Sequence, residues 1–522
     1  MSAKAAAAAL TKQMKPAGFK FIKILGWGGL GVCSLYEVDD GVGNRIKVVC
    51  KMDLETRYNY INPEIKSHVA TAGAKHVVQR VILKHHHTKI EQVNKQLSAF
   101  DPPDKGKGKG KADDDSGYLT GPDRGADDDF EMTEAPEPEP FEAVEKKFVE
   151  LDIKKDFKGA MDAHERVLFI EFMSRGRFDD HIGRVAKENG EFPNHVLWQV
   201  FDCLFRAVIG MAYPKAFQPV GSDPRTERIQ PVTETSRGLP LLDSNSKSNR
   251  LIHFDLESLN VLVGDFDPDE NNIVPLIKVS DLGLAKMFNG QERDPWTLWL
   301  TRRTGKTDIY TPEQHTQEWD WVDEIPDRRV TPTAENYNWW TDLYQVALII
   351  WKLVTLCEYE CPPVIEKVEL SRPDGTTTKE WTYGAYVLDP QFDHIDVDLR
   401  NTVALCMIHD PTRRPTMEYL EQAIQKRLDN AAAANNVPLR QWVQEVFGSP
   451  PPPQQVIDPL DPKAYENLRG WKEEPKKDMQ VDVQRQAEHM QYLNNIARRR
   501  RMGPVRMLAN KFGPTFLRDM LG

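Results

Sequence analysis

The run Ile252-His253-Phe254-Asp255-Leu256-Glu257-Ser258-Leu259-Asn260, followed by Lys278-Val279-Ser280-Asp281-Leu282-Gly283, constrains this chain more than any other stretch. Asp255 can accept a proton from a hydroxyl. Asn260 offers a neutral oxygen and Asp281 a charged one, the hard donors that Mg²⁺ prefers beside phosphates. The apolar flanks Val261-Leu262-Val263 and Ile277-Lys278-Val279 predict a short strand pair that carries both donors on one scaffold.

A phosphate-binding element is predicted nearer the N-terminus. From Phe19 to Lys51 apolar and polar residues alternate between Gly and Asp, which fits three antiparallel strands over Phe19 to Leu25, Cys33 to Val38 and Ile46 to Lys51. The first two are joined by Leu25-Gly26-Trp27-Gly28-Gly29-Leu30-Gly31. Glycines let backbone amides approach phosphate oxygens, and a strand rather than a helix after the loop argues against a dinucleotide fingerprint. Lys51 ends an apolar strand, so its ammonium needs an anionic partner, phosphates or a carboxylate. Glu64 is the only acidic residue between Glu55 and Glu91, on a helix that Asn62-Pro63 is expected to open and that runs through Ala70.

Taken together, these residues resemble a eukaryotic-type protein kinase over roughly 19–428. The fold implied is α+β and two-lobed, with a small antiparallel β lobe and a larger, mainly helical lobe; a strand-rich half followed by a helix-rich half agrees with it. By the resemblance, Gly26, Gly28 and Gly31 cover the phosphates of ATP, Lys51 holds them and pairs with Glu64, Asp255 is the catalytic base, and Asn260 and Asp281 bind Mg²⁺. Glu171-Phe172-Met173 resembles the hinge that holds adenine, with Glu171 and Met173 as its contacts and Ile170 as gatekeeper. Three later signatures resemble protein kinases rather than small-molecule kinases: Thr311-Pro312-Glu313, Trp340-Thr341-Asp342 and Asp410-Pro411-Thr412-Arg413-Arg414-Pro415. The resemblance implies that Glu313 pairs with Arg414 and that Asp342 anchors the backbone around Asp255.

Two neighbours of Asp255 depart from the family. Phe254 stands where an Arg usually receives an activation-loop phosphate, so phosphorylation of Thr301, Thr304 or Thr307 loses its usual receptor. Glu257 stands where serine/threonine kinases carry a Lys that contacts the γ-phosphate, which reverses a short-range charge. Lys306, seven residues before Glu313, is expected to lie against Glu257 and restore a positive charge there. Leu282 for Phe and Val49 for Ala are apolar exchanges compatible with ATP.

Outside these motifs, the expected organisation is a disordered N-terminus over 1–17, a β-rich part over 18–173 and a helical part over 174–428. The first part holds a disordered acidic, Pro-rich insertion over 85–145, and the second a polar insertion over 217–249. A tail over 429–522 carries Pro450 to Pro453, a spacer or docking site, and the run Arg498 to Arg501, an import signal or a solvated basic face. The insertion and the basic tail are expected to meet protein partners. With 68 Lys and Arg against 79 Asp and Glu, a net charge of −11 argues against direct nucleic-acid binding. Scattered cysteines, no signal-like N-terminus and only short apolar runs such as Val346 to Ile350 predict a cytoplasmic or nuclear protein without a membrane span. The leading expectation is Mg-ATP-dependent transfer to a protein Ser or Thr; a pseudokinase scaffold and a small-molecule kinase are the alternatives.

Overall fold

The computed structural model describes residues 3–27, 31–40, 43–53, 61–83, 167–188, 190–242, 249–270, 273–288, 301–302, 304–314, 333–358, 365–372, 374–429 and 436–448. The expected acidic insertion, Gly28, the Pro450 to Pro453 run and the basic tail lie outside the described residues. Within them the chain is α+β, with small antiparallel sheets and several helices.

The first sheet has the order β1 (Lys20–Trp27), β2 (Gly31–Asp39), β3 (Arg45–Asp53) and β4 (Val167–Glu171), antiparallel throughout. Asp40 closes the β2–β3 turn by accepting from the amide of Asn44 at 3.0 Å. The two-residue period of β3 separates its faces. Val48, Cys50 and Met52 join one apolar cluster, while Val49 joins another that includes Ile61 and Ile65.

Residues 1–17 correct the sequence expectation. They contain helix α1 (Ala3–Met14), not a disordered arm. The alanine run favours helix, and Ala7, Leu10 and Met14 recur at helical spacing and bury against the sheet. The hydroxyls of Thr11 and Tyr36 meet at 3.2 Å. Helix α2 (Ile61–Ala70) covers the second face; it starts two residues before Pro63, the expected first helical residue, with the Ile61 amide donating to Asp53.

The helical part is built around α4 (Asn194–Ala212) after α3 (Phe178–Lys187). By length and apolar composition α4 could cross a membrane, but 83% of its apolar window is buried inside the fold, so it serves as the core helix. Helix α5 (Trp339–Thr355) packs on it and opens with a capping box between Asn338 and Thr341. Short strands pair as β5 (Arg250–Ile252) with β8 (Lys286–Phe288), β6 (Val261–Val263) with β7 (Ile277–Val279), and β9 (Glu366–Ser371) with β10 (Thr377–Thr382). Helices α6 (Val397–Cys406) and α7 (Met417–Leu428) follow.

One further correction concerns the expected tail, and the expected polar insertion is seen in place. Helix α8 (Val437–Phe447), assigned above to the tail, belongs to the packed body: Leu439, Val443, Val446 and Phe447 are buried, and Arg175 donates to the carbonyl of Phe447 at 2.7 Å. The insertion after Phe217 forms a docked strap. Its Glu234 is fully buried against His76, Nδ1 to Oε2 at 2.7 Å. Burial disfavours the imidazolium, but the charge of Glu234 outweighs it and raises the His76 pKa to about 10, so the contact is an ion pair at neutral pH.

Candidate active site

Sequence spacing alone places Asp255 and Asn260 together, because only a short 3₁₀ turn over Ser258–Asn260 separates them. The Asn260 amide nitrogen donates to the Asp255 carbonyl at 2.7 Å and to its Oδ2 at 3.0 Å. Asp255 Oδ1 is buried and has no hydrogen-bond partner among the described residues. Burial raises the Asp255 carboxyl to about 6, against the lowering effects of Lys306 and of the Asn260 hydrogen bond.

The backbone around Asp255 is held from three sides. Asp342, buried at the start of α5, accepts from the His253 amide at 2.9 Å, as expected above. Gln345, one turn on, accepts from the Leu256 amide and donates to the carbonyls of Phe254 and Ile309. The His253 ring bonds the Ser280 carbonyl at 2.9 Å and the Asp255 amide at 3.2 Å. Burial lowers the His253 pKa, which keeps the ring neutral and able to accept that amide. His253 and Gln345 had no role in the sequence reading; position two before Asp255 was the only signal for the first, and a polar residue in an apolar helix the signal for the second.

Asp281 follows β7 in a left-handed conformation, φ 59°. Its Oδ1 receives Lys51 Nζ at 2.8 Å, and the same ammonium lies 2.8 Å from Glu64 Oε2. Thus β3, α2 and the turn after β7 converge on one cation. Burial opposes the Lys51 charge, but Glu64 and Asp281 outweigh it and hold the group protonated. Burial likewise favours a neutral Asp281, and Lys51 overrides it, keeping the carboxyl below its usual range.

Gly26 ends near the tip of β1 opposite Cys33, and Gly31 opens β2 against Asp53. Ile170 faces Val49 across β3 and β4 in the apolar cluster that also holds Met173, with Leu25 and Leu262 packed against it. Glu171 is more engaged than expected: its Oε1 accepts from the Gln79 amide at 2.7 Å and from Lys278 at 2.6 Å, and its own amide donates to Gln79. The Lys278 ammonium that interrupts the apolar β7 therefore has its counter-ion.

Phe254, φ 64°, is fully buried among Ile252, Phe288 and Tyr337. Its ring meets Tyr337 edge-on at 5.3 Å and Phe288 at 5.8 Å. An apolar cluster therefore surrounds the position immediately before Asp255. Thr301 and Thr304 are buried and Thr307 is exposed, so of these three only Thr307 is accessible to modification. Thr307→Ala is expected to change any phosphotransfer rate by less than about twofold, because the position before Asp255 is an apolar Phe254 that cannot bind a phosphate. A tenfold or greater loss in a labelled-ATP assay, with an unchanged melting curve, would count against this.

Lys306 pairs with Glu257, as the register suggested. Gly305 makes this approach available: its φ is +89°, and a Cβ there would sit 2.2 Å from the Phe254 carbonyl oxygen. The segment is anchored beyond by Glu313, whose two oxygens meet the Arg414 guanidinium at 2.9 Å each, both side chains fully buried. Thr341 also donates to Glu313 at 3.0 Å.

No group of three or more His, Cys, Asp or Glu forms a metal cage among the described residues. Two oxygen donors, from Asn260 and Asp281, fit a different kind of site. Mg²⁺ commonly takes one or two protein oxygens and completes its shell with phosphates and water. With its amide nitrogen on Asp255, Asn260 keeps its Oδ1 for such a cation, and the Ser280 amide fixes it beside Asp281 through the Asn260 carbonyl at 2.8 Å. Compared with known protein families and with curated proteins, the chain matches no family and no relative.

Proposed function

We propose that this chain is a divergent protein kinase of the eukaryotic type, transferring the γ-phosphoryl group of ATP to a protein Ser or Thr hydroxyl. In this reading the four-stranded sheet with α1 and α2 is the small lobe, and the body around α4 and α5 the large one. The observation that carries it is Lys51 bonded at once to Glu64 and Asp281, residues 13 and 230 positions away in sequence. A cation held between two carboxylates at the edge of a glycine-containing hairpin suits phosphate oxygens better than it suits a purely structural pair.

The Asp255 carboxylate accepts the hydroxyl proton as the acceptor oxygen bonds to the γ-phosphorus and the bond to the β,γ-bridging oxygen breaks, releasing ADP, while Asn260 holds the carboxylate in place through Oδ2. Gly26 and Gly31 flank the phosphates, Lys51 neutralises them, and Ile170 and Met173 line the adenine side. Asn260 and Asp281 would hold Mg²⁺, which when bound offsets phosphate charge. Glu257 was the strongest support for a pseudokinase; its pairing with Lys306 removes the uncompensated negative charge on which that support rested.

The test is transfer from labelled ATP with Mg²⁺ by the full chain and by Asp255→Asn. Label on protein Ser or Thr, at least about 10²-fold weaker in the variant, is the expected result. Equal traces in both would favour an interaction module, and label only in small molecules a small-molecule kinase. The rate should also fall as pH drops through about 6, where the Asp255 carboxylate takes up a proton. A rate that stays level between about pH 5 and pH 8 would remove Asp255 as the base.

A further inference from the structure

The strap between α4 and β5, described over 213–242, grips the helix that carries Glu64. At the C-terminal end of α2 the carbonyls of Val69 and Ala70 lack partners within the helix. The Gln218 side-chain amide donates to Val69 at 2.8 Å and to Ala70 at 3.3 Å, and the Lys215 amide donates to Ala70 at 2.8 Å. A helix end usually meets water or its own next residues here; this one is capped by chain 145 or more residues away.

The grip continues past the helix. Gly73 has φ +89°, and a Cβ on it would lie 2.2 Å from the Phe217 carbonyl oxygen, so strap and chain touch without room for a side chain. Val232 exchanges backbone hydrogen bonds with Gly73 and Lys75. Glu234 then accepts from both the amide and the ring of His76, at 2.8 and 2.7 Å. The next residues pair with β7: Val78 donates to Val279 and Val279 to His76, each at 2.8 Å. The far end of the strap is tied to α7, where the Ser236 amide donates to Glu421 at 3.1 Å.

Residues 71–80 therefore join the helix bearing Glu64 to the strand leading into Asp281, and the strap holds both ends of that connection. We infer that the strap is a built-in clamp which keeps α2 in the position where Glu64 meets Lys51, with Gln218 and Glu234 as positioning residues for phosphoryl transfer. It fits the aromatic surroundings of Phe254: the cation site is assembled by the chain's own strap, without a phosphate on the 301–307 segment. The inference rests on the phosphotransferase reading for its effect on rate, though not for its effect on α2.

Gln218 is half-buried, so its variants are suited to the test. Gln218→Glu replaces the donor with an acceptor facing two carbonyls; Gln218→Lys keeps a donor. Hydrogen exchange is expected to quicken at the α2 amides in Gln218→Glu and to remain as in wild type in Gln218→Lys. In the labelled-ATP assay Gln218→Glu should lose about fivefold in kcat/KM, the effect of one lost hydrogen bond, and Gln218→Lys should restore it. Placed on Glu64→Gln, the same substitution should cause no further loss, because the contact it protects is already gone. Unchanged α2 exchange in Gln218→Glu, or losses that multiply with Glu64→Gln, would overturn the clamp. Glu234→Gln gives a second reading of the same kind at the His76 end. If wild type shows no Asp255-dependent transfer, the phosphotransferase reading fails, and the exchange measurement still decides for or against the clamp.

Discussion

Lys306→Glu is expected to lower kcat about 10³-fold while leaving the protein folded. A unit charge about 4 Å from another is worth about 4 kcal/mol at an effective dielectric constant of 20. About half of the Lys306 side chain faces water, so screening reduces its removal to about 2 kcal/mol, or ~30-fold for Lys306→Ala; reversal doubles the free energy. The direction follows from what surrounds Lys306. Glu257 pairs with it, and Asp255 and Asp308 act on it electrostatically. On the phosphotransfer reading proposed above, a phosphoryl group in transfer would face Glu257 uncompensated without Lys306.

The informative variant is the double exchange Glu257→Lys with Lys306→Thr, which moves the cation from the segment before Glu313 to the turn after Asp255. Activity within about tenfold of wild type is expected, well above Lys306→Glu alone. Steady-state kinetics at two ionic strengths give the check: the single-variant defects should shrink with salt. Wild-type rates in Lys306→Ala would show that the pair is structural only.

Glu313→Gln is expected to cost about 3–5 kcal/mol of stability, because it leaves the Arg414 guanidinium buried without its counter-ion. Arg414 would keep its bonds to the carbonyls of Trp340 and Ile408, at 2.7 and 3.0 Å, and these place the unpaired charge at the top of α5. Replacing both partners, as in Glu313→Leu with Arg414→Met, should cost less than either single change, since no buried charge then remains. Urea unfolding followed by tryptophan fluorescence measures this, and a Glu313→Gln midpoint equal to that of wild type would contradict it. The loss should reach activity as well. Glu313 accepts from Thr341 and its carbonyl receives Glu335, so the segment that presents Lys306 is fastened at this point.

Much of the candidate site was legible because its parts are close in sequence or carry a strong composition signal. Asp255 and Asn260 lie within one turn, the β6 and β7 runs are apolar and flanked by breakers, and the expected partners Glu313, Arg414 and Asp342 all stand in buried positions. The failures have a common physical origin. Helix α1 is too short and too alanine-rich to announce the stripe of Ala7, Leu10 and Met14, and tertiary burial stabilises it. Helix α8 follows an Ala- and Asn-rich stretch of sequence that reads as tail, yet Phe447 stacks near Phe178 at 6.3 Å. In the strap, polar residues that look solvated turn out to cap α2 and to pair with His76, a use of polarity that composition does not distinguish from hydration.

By itself, then, the sequence determined the chemistry on offer: a carboxylate with an amide five residues on, a carboxylate after a short strand, a lysine at a strand end and the strand alternation that aims it. Those are local quantities, set by the two-residue period of a strand and the geometry of a tight turn. The tertiary structure alone decided that Asp281 joins Lys51 and Glu64, that Gln345 and His253 hold the backbone around Asp255, and that Phe254 is walled by aromatic rings. Contacts over such separations have no local cause. They exist because burying the faces of β3, α2 and α5 fixes where the attached charges must find their partners.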